Sequence, residues 1–137
     1  MATVQVLIDA DNVEPSRMRV FLTVLAEVAE PGEIVVAGRG TALARTSWPD
    51  GATLVEAAGW QRADVVLAEA YVPGPEPLVL VSGDGDFVHL ATRHPGPVLV
   101  VSNSAGSAAR LRDVATVVDP AADGPDALRH WFAGVAP

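Results

Sequence analysis

The stretch LVSGDGDFVHL, residues 80–90, carries an apolar run into Asp84 and Asp86, with a single glycine between the two acids. Two carboxylates this close repel each other, so water, backbone N–H groups or a cation must offset the repulsion. A second pair, Asp9 and Asp11, follows the apolar run TVQVLID near the start of the chain. Mg²⁺ and Mn²⁺ prefer oxygen ligands of this kind. The two pairs therefore indicate a metal site, provided that the fold brings them together.

Strand-like apolar runs alternate with helical patterns along the 137 residues. Strands that are apolar on both faces are typical of a parallel sheet covered by helices on both sides, with right-handed crossovers. We therefore predict one domain over residues 1–137, with a three-layer α/β/α, Rossmann-like fold and a mainly parallel sheet of five to six strands. The predicted strands are 3–9, 33–39, 53–58, 78–84, 98–103 and an edge strand at 116–119, and the predicted helices are 14–32 (stopped by Pro31-Gly32), 41–48, 62–72, 86–94, 107–115 and 124–135.

The predicted fold places the acids at one edge of the sheet. Ligands of such sheets bind outside the carboxyl ends of the strands, where Asp9 follows the first strand and Asp84 the fourth. If these two strands are neighbours, the two acidic pairs face each other. Asp64 falls in the first turn of the helix after the third strand, and we expect this helix to lean toward the same crevice.

A simpler interpretation gives each acid a role in helix capping. Aspartate after a strand is often the N-cap of the next helix, and Asp86 precedes a predicted helix in this way. Asp11 or Asn12 could cap the helix that begins near EPSRMR. Two pairs at one edge together with Asp64 favour a shared site over separate caps.

Composition narrows the classes of function. The chain has no cysteine, which excludes disulfides and is compatible with a cytoplasmic location, and neither a signal peptide nor a membrane-spanning run is predicted. All nine basic residues are arginine, and the net charge is −8. A polyanion would therefore bind through local arginines or bound cations rather than through a generally basic face.

The segments VLIDADNV, ADVVLAEAY, LVSGDGDFVHLA and VLVVSNSAGSAARLRDVA occur in this order over about residues 4–119. They resemble NYN domains, the branch of the PIN-like nucleases that includes the LabA-type bacterial proteins. The most specific piece is SGDGDF, which is close to the family's Ser-Gly-Asp-Ser-Asp-Phe, and the Asp-x-x-Asn from Asp9 to Asn12 is also characteristic.

The resemblance implies cleavage of RNA phosphodiester bonds with Mg²⁺ or Mn²⁺. It implies that Asn12 orients the site or the substrate and that Ser82 makes a polar contact beside the acids. A divalent ion would lower the pKa of bound water and stabilise charge on the phosphate, and a carboxylate, for which Asp86 is a candidate, would take the proton. The residues that would bind the metal and act in catalysis are Asp9, Asp64, Asp84 and Asp86.

The chain also departs from the family pattern, which leaves two alternative functions open. The family's second helix acid is replaced by Ala70, with Glu69 beside it, and Gln61 stands where relatives often have lysine. A degenerate domain that binds RNA or a protein partner without catalysis fits these changes. A haloacid-dehalogenase-like phosphatase would use Asp9 as phosphoryl acceptor and Asp11 as acid/base, but it generally needs a lysine that this chain lacks.

Two arginines are candidate phosphate ligands at the mouth of the crevice. Arg39 ends the second predicted strand and Arg45 follows it, although solvated surface arginines are the simpler interpretation of each. Trp48 could stack on a base, but packing at the edge of the sheet is favoured. The predicted edge strand at 116–119 could pair with a second copy and form a homodimer.

Overall fold

A computed structural model of the chain describes residues 2–57, 62–82, 87–102 and 109–135. Six strands, five α-helices and one 3₁₀ helix lie in these ranges, and strands and helices alternate along the chain. The strands are β1 (Ala2–Asp9), β2 (Ala29–Gly38), β3 (Thr53–Glu56), β4 (Leu78–Val81), β5 (Val98–Val101) and β6 (Thr116–Val118). The helices are α1 (Pro15–Val28), α2 (Gly40–Ala44), α3 (Arg62–Ala70), α4 (Val88–Arg93) and α5 (Pro125–Val135), with a 3₁₀ helix at Ala109–Asp113.

The described strands form one parallel sheet in the order β3-β2-β1-β4-β5-β6. The chain moves outward from β1 to β3, and then returns to the other side of β1 to build β4, β5 and β6. β1 and β4 are therefore neighbours at the point where the strand order reverses, and Ile8 pairs with Val81 there. This order confirms the predicted α/β fold and the predicted neighbourhood of the first and fourth strands.

Each face of the sheet is covered by its own helices. Side chains alternate along a strand, so Ile8 packs with Phe21 and Phe132 of α1 and α5, whereas Leu7 packs on the opposite face with Leu67 of α3. These five side chains are at most 1% exposed, and burying each one stabilises the fold by about 1.5–3 kcal/mol. The predicted three-layer arrangement is confirmed.

The predicted helix end at Pro31-Gly32 is wrong. α1 ends at Val28, and the chain passes directly into β2. Val4 pairs with Pro31 and the next residue of β1 pairs with Glu33, so Gly32 has no partner and forms a bulge. A bulge is one of the few places where a strand tolerates proline, because the ladder is already interrupted there.

Other element boundaries differ by a few residues from the prediction. The helix predicted at 107–115 is a 3₁₀ helix in the part that the structure describes, Ala109–Asp113. β6 lies at one edge of the sheet, as expected for the segment 116–119. β3 lies at the other edge, and three of its four side chains are exposed.

An ion pair connects α1 to the end of β6. Arg17 Nε donates to Asp119 Oδ1 at 2.9 Å, and the two side chains are only 21% and 14% exposed. The same oxygen accepts hydrogen bonds from the N–H groups of Ala121 and Ala122. Burial raises the pKa of Asp119, but these hydrogen bonds and the charge of Arg17 outweigh burial, so the pKa lies below its ordinary value.

The lowered pKa predicts how stability depends on pH. Asp119 contributes its full stabilisation above its unfolded pKa of about 3.9, and the contribution is lost as the pH falls through the folded pKa. We expect Asp119→Asn, which keeps an oxygen for the backbone N–H groups but has no charge, to be less stable than the wild type at pH 7. The difference in unfolding free energy, measured by chemical denaturation, should shrink below about pH 4. A difference that is equal at pH 7 and pH 3 would contradict this role.

Candidate functional site

The carboxyl edge of the sheet, at which the described strands end, carries a row of buried polar side chains. Asp9 is the last residue of β1, and Ser82 and Ser102 directly follow the last residues of β4 and β5. Ile8 pairs with Val81, and β4 and β5 also pair through their last residues, so the three polar residues lie at matching positions on adjacent strands. They are 0%, 2% and 1% exposed, respectively. The row crosses the point where the strand order reverses, which is where ligands bind in sheets of this kind.

Asp9, Ser82 and Asp64 lie on the same side of the sheet. Because side chains alternate, Asp9 shares its face with Leu7, and Ser82 shares its face with Leu80, in the core beneath α3. α3 packs on β1 and β2 and begins at the carboxyl edge, since it follows the end of β3. Asp64 is half-buried in its first turn. The structure thus brings the sequence-predicted Asp64 to the same edge and face as Asp9.

The carboxylate of Asp9 organises the loop that follows β1. Its Oδ1 accepts the N–H of Asp11 at 3.2 Å, and its Oδ2 accepts Asn12 Nδ2 at 2.5 Å. Both oxygens are therefore held in place by residues of the same loop. The Asn12 side chain therefore orients the Asp9 carboxylate directly. The predicted orienting role of Asn12 requires such a contact.

Asp11 and Asn12 are not caps of α1, so this part of the capping interpretation is wrong. Asp11 Oδ1 accepts the backbone N–H of Arg39 at 3.1 Å and joins the β1–α1 loop to the end of β2. The N-cap position of α1 is Glu14, whose side chain makes no capping hydrogen bond, and Pro15 follows it. Proline suits the first helical position, because the N–H that it lacks has no helical partner there.

Close contact between this loop and β2 depends on a glycine. A Cβ added at Gly38 would lie 3.0 Å from the Cβ of Ala10 and 3.5 Å from the backbone N of Asp11. The absence of a side chain at the end of β2 therefore allows the loop to settle against it. This contact fixes the position of the backbone that holds Asp9.

The two predicted phosphate ligands lie at opposite ends of α2. Arg39 is the N-cap residue and Arg45 the C-cap residue of this helix, and both are exposed. Neither guanidinium has a carboxylate within 4 Å in the ranges that the structure describes. Both remain available to an anion at the surface.

Asp84 and Asp86 lie outside the described residues, so their predicted roles stay predictions. Residues 2–57, 62–82, 87–102 and 109–135 contain no group of three or more histidine, cysteine, aspartate or glutamate side chains that could hold a metal ion. Asp84 and Asp86, the remaining acids of the predicted site, belong to the SGDGDF segment at residues 82–87, which follows β4. Ser82, the first residue of that segment, is described and belongs to the polar row.

The groups that the structure does describe suit a hard cation. An ionised carboxylate buried as fully as Asp9 is costly unless hydrogen bonds or charges compensate it. The oxygens of Asp9 accept hydrogen bonds from Asp11 and Asn12, and a carboxylate oxygen can accept more than one partner. Carboxylate and hydroxyl oxygens are the donors that Mg²⁺ and Mn²⁺ prefer, so Asp9, Asp64 and Ser82 fit such an ion chemically.

Sequence reasoning missed Ser102, which the structure places in the polar row. It was absorbed into a strand predicted to run to residue 103, whereas β5 ends at Val101. A usable signal was present, because VLVVS at 98–102 repeats the pattern of LVLVS at 78–82. Two serines that end neighbouring apolar strands in the same way indicate equivalent positions in the sheet.

The sequence was compared with models of known protein families and with curated proteins. No protein-family model matches the chain, and no curated protein matches it. Among the described helices, none combines the length and the apolar character that crossing a lipid bilayer requires. The polar row and the loop that orients Asp9 are therefore the features of the chain that indicate a function.

Proposed function

We propose that the chain is a metal-dependent ribonuclease of the NYN type. The observation that carries this proposal is the buried carboxylate of Asp9 at the reversal of the strand order, hydrogen-bonded by Asn12 and in line with Ser82. Asp64 reaches the same edge from α3. This combination supports a site that concentrates negative oxygens where a parallel sheet binds its ligands.

The ion in this proposal is Mg²⁺ or Mn²⁺. It would be held by Asp9, Asp64, Asp84 and Asp86, which are oxygen ligands supplied by three separate segments of the chain. When bound, such an ion supplies an activated water molecule and stabilises negative charge on phosphate. Without a cation, several carboxylates at one edge would repel one another and the phosphate that is to be cleaved.

The residues of the chain have distinct tasks in this proposal. Asn12 holds the Asp9 carboxylate in one orientation, so that little reorganisation accompanies binding. Ser82 offers a hydroxyl beside the acids. The guanidinium of Arg39, at the rim of the same edge, binds a phosphate of the RNA next to the one that is cleaved.

The position of Ala70 in the fold weakens the alternative that the chain is a degenerate domain without catalysis. Ala70 is the last residue of α3, about 9 Å along the helix axis from Asp64 and away from the carboxyl edge. Its side chain packs against the core beneath the helix. The missing family acid at this position thus removes no carboxylate from beside Asp9.

The phosphatase alternative is disfavoured by the position of Asp11. An acid/base must reach the reacting group, but Asp11 Oδ1 binds the N–H of Arg39 and holds two loops together. The absence of lysine, which such phosphatases generally need, weighs in the same direction.

Cleavage of RNA in the presence and absence of metal tests the proposal. We expect the purified chain to cut a 5′-labelled single-stranded RNA with Mn²⁺, to stop with EDTA, and to leave a small phosphomonoester intact. The reason is that the proposed acids have no function without a cation to neutralise them. RNA that is bound but never cut at any Mn²⁺ concentration would instead establish the degenerate domain.

A further inference from the structure

A groove runs between α1 and the segment that joins α2 to β3. Arg19 and Leu22 line it from α1, and Arg45 and Trp48 line it from the other side. Its volume is about 530 Å³. We call this surface, defined by these four residues, the arginine groove. None of its residues belongs to the polar row at the carboxyl edge.

Among the described residues, no acid forms an ion pair with either arginine of the groove. Arg19 and Arg45 have no carboxylate within 4 Å in the described part of the chain, whereas Arg17 and Arg129 each bind two. The chain carries 17 acidic and nine basic residues, so unpaired positive charges that converge on one concave surface stand out from their surroundings. Such a surface attracts an anion locally even though the whole molecule repels one.

Trp48 gives the groove an aromatic wall. Its Nε1–H donates to the carbonyl of Leu43 at 2.9 Å, which fixes the ring, and the side chain is half-buried. The polar atom of the indole is thus already bonded within the protein. Part of the ring packs against the core beneath α1, and the rest lines the groove as an apolar surface. An aromatic ring beside unpaired arginines is the combination that binds single-stranded nucleic acids, through stacked bases and paired phosphates.

Arg39 and the helix α2 connect the carboxyl edge of the sheet to the arginine groove. Arg39 stands at that edge, where its N–H is bound by Asp11, and the five-residue helix α2 leads from it to Arg45. The two residues are separated by about 9 Å along the helix axis. Arg19 lies one turn after the start of α1, which also begins at that edge. A chain of phosphates leaving the proposed site would meet Arg39 first and the groove next.

We propose that the arginine groove binds the nucleotides of a single-stranded RNA that flank the cleaved bond, with phosphates on Arg19 and Arg45 and a base against Trp48. The identity of the ligand as RNA rests on the function proposed above, while the anionic and aromatic character of the ligand follows from the groove. An acidic peptide would satisfy the arginines but would leave the indole without a stacking partner.

Binding measured in EDTA tests the groove independently of cleavage. The probe is a fluorescein-labelled 12-nucleotide single-stranded RNA, followed by fluorescence anisotropy between 50 and 200 mM salt. We expect the Arg19→Ala/Arg45→Ala variant to bind at least about 10-fold more weakly and to lower the slope of log affinity against log salt by about 1.4, since two phosphate contacts are lost. Trp48→Leu, which keeps an apolar side chain, should weaken binding about 5- to 150-fold without changing the slope.

The matched control removes two other exposed arginines from the surface. Arg93 and Arg112 have no carboxylate within 4 Å among the described residues, so Arg93→Ala/Arg112→Ala changes the net charge by the same amount. Its affinity should stay near that of the wild type. An equal loss in both double variants, no binding by the wild type at millimolar protein, or equally tight binding of a polyglutamate peptide would overturn the proposal.

The groove and the ribonuclease proposal fail in different experiments. RNA that binds in EDTA with the expected losses but is never cut with Mn²⁺ keeps the groove and removes the nuclease. RNA that is cut with Mn²⁺ but binds the groove variants as tightly as the wild type keeps the nuclease and removes the groove.

Discussion

The Asp9→Asn variant is expected to cut RNA at least about 100-fold more slowly with Mn²⁺ than the wild type. Loss of a residue that merely orients a metal ligand costs 10- to 100-fold, and Asp9 is proposed to be a ligand itself. The fold should tolerate the change, because an asparagine oxygen still accepts the N–H of Asp11, and the Asn12 amide can turn to accept the new N–H. Its unfolding free energy should therefore stay within about 1 kcal/mol of the wild type.

Asp11→Asn is the matched control for this variant. It makes the same carboxylate-to-amide change two residues away, at a side chain that holds the Arg39 N–H rather than the proposed metal ion. We expect cleavage to change only a few-fold. A second measurement is the melting temperature, which Mn²⁺ should raise in the wild type and in Asp11→Asn but not in Asp9→Asn. Equal cleavage by Asp9→Asn and the wild type would show that Asp9 serves only to shape the loop.

The carboxyl edge could be predicted from sequence because two simple signals agree there. Apolar runs long enough for buried strands end abruptly at Asp9 and just before Ser82, and their alternation with helices indicates a parallel sheet. Parallel strands all end at one edge, so residues far apart in sequence gather without any knowledge of side-chain contacts. The order of the strands then decides which of them are neighbours, and the fold confirms that β1 and β4 are.

Features that depend on close contact between segments could not be predicted in this way. Pro31 and Gly32 read as a helix stop, because nothing local reveals that β1 lies alongside and accepts a bulge there. Asp11 could be read as a member of an acidic pair or as a helix cap, whereas the structure shows its side chain bound to the N–H of Arg39, 28 residues away. Arg19 carried no signal until the structure placed it opposite Arg45 across a groove.

The amino ends of the strands, opposite the carboxyl edge, contain a close contact between two turns. The turn before β5 packs against the turn before β4, and a Cβ added at Gly96 would lie 2.5 Å from the carbonyl oxygen of Pro75 and 2.9 Å from that of Glu76. His94 Nε2 donates to the Glu76 carbonyl at 2.7 Å, and Tyr71 donates to His94 Nδ1 at 2.8 Å. These hydrogen bonds hold the two turns together, so neither backbone can move away without breaking them.

The Gly96→Ala variant is therefore expected to lose about 1–3 kcal/mol of unfolding free energy, the usual cost of forcing an extra methyl group into a packed site. Gly134→Ala is the matched control, because a Cβ there meets nothing within 4 Å and the residue lies in α5. Alanine in place of a helical glycine should leave stability unchanged or raise it by up to about 1 kcal/mol. Chemical denaturation of both variants measures the two effects.

Equal stability of Gly96→Ala and the wild type would mean that the turns separate freely, which the hydrogen bonds from His94 and Tyr71 argue against. Since the contact lies at the edge opposite Asp9, the folded fraction of Gly96→Ala should cut RNA at the rate of the wild type.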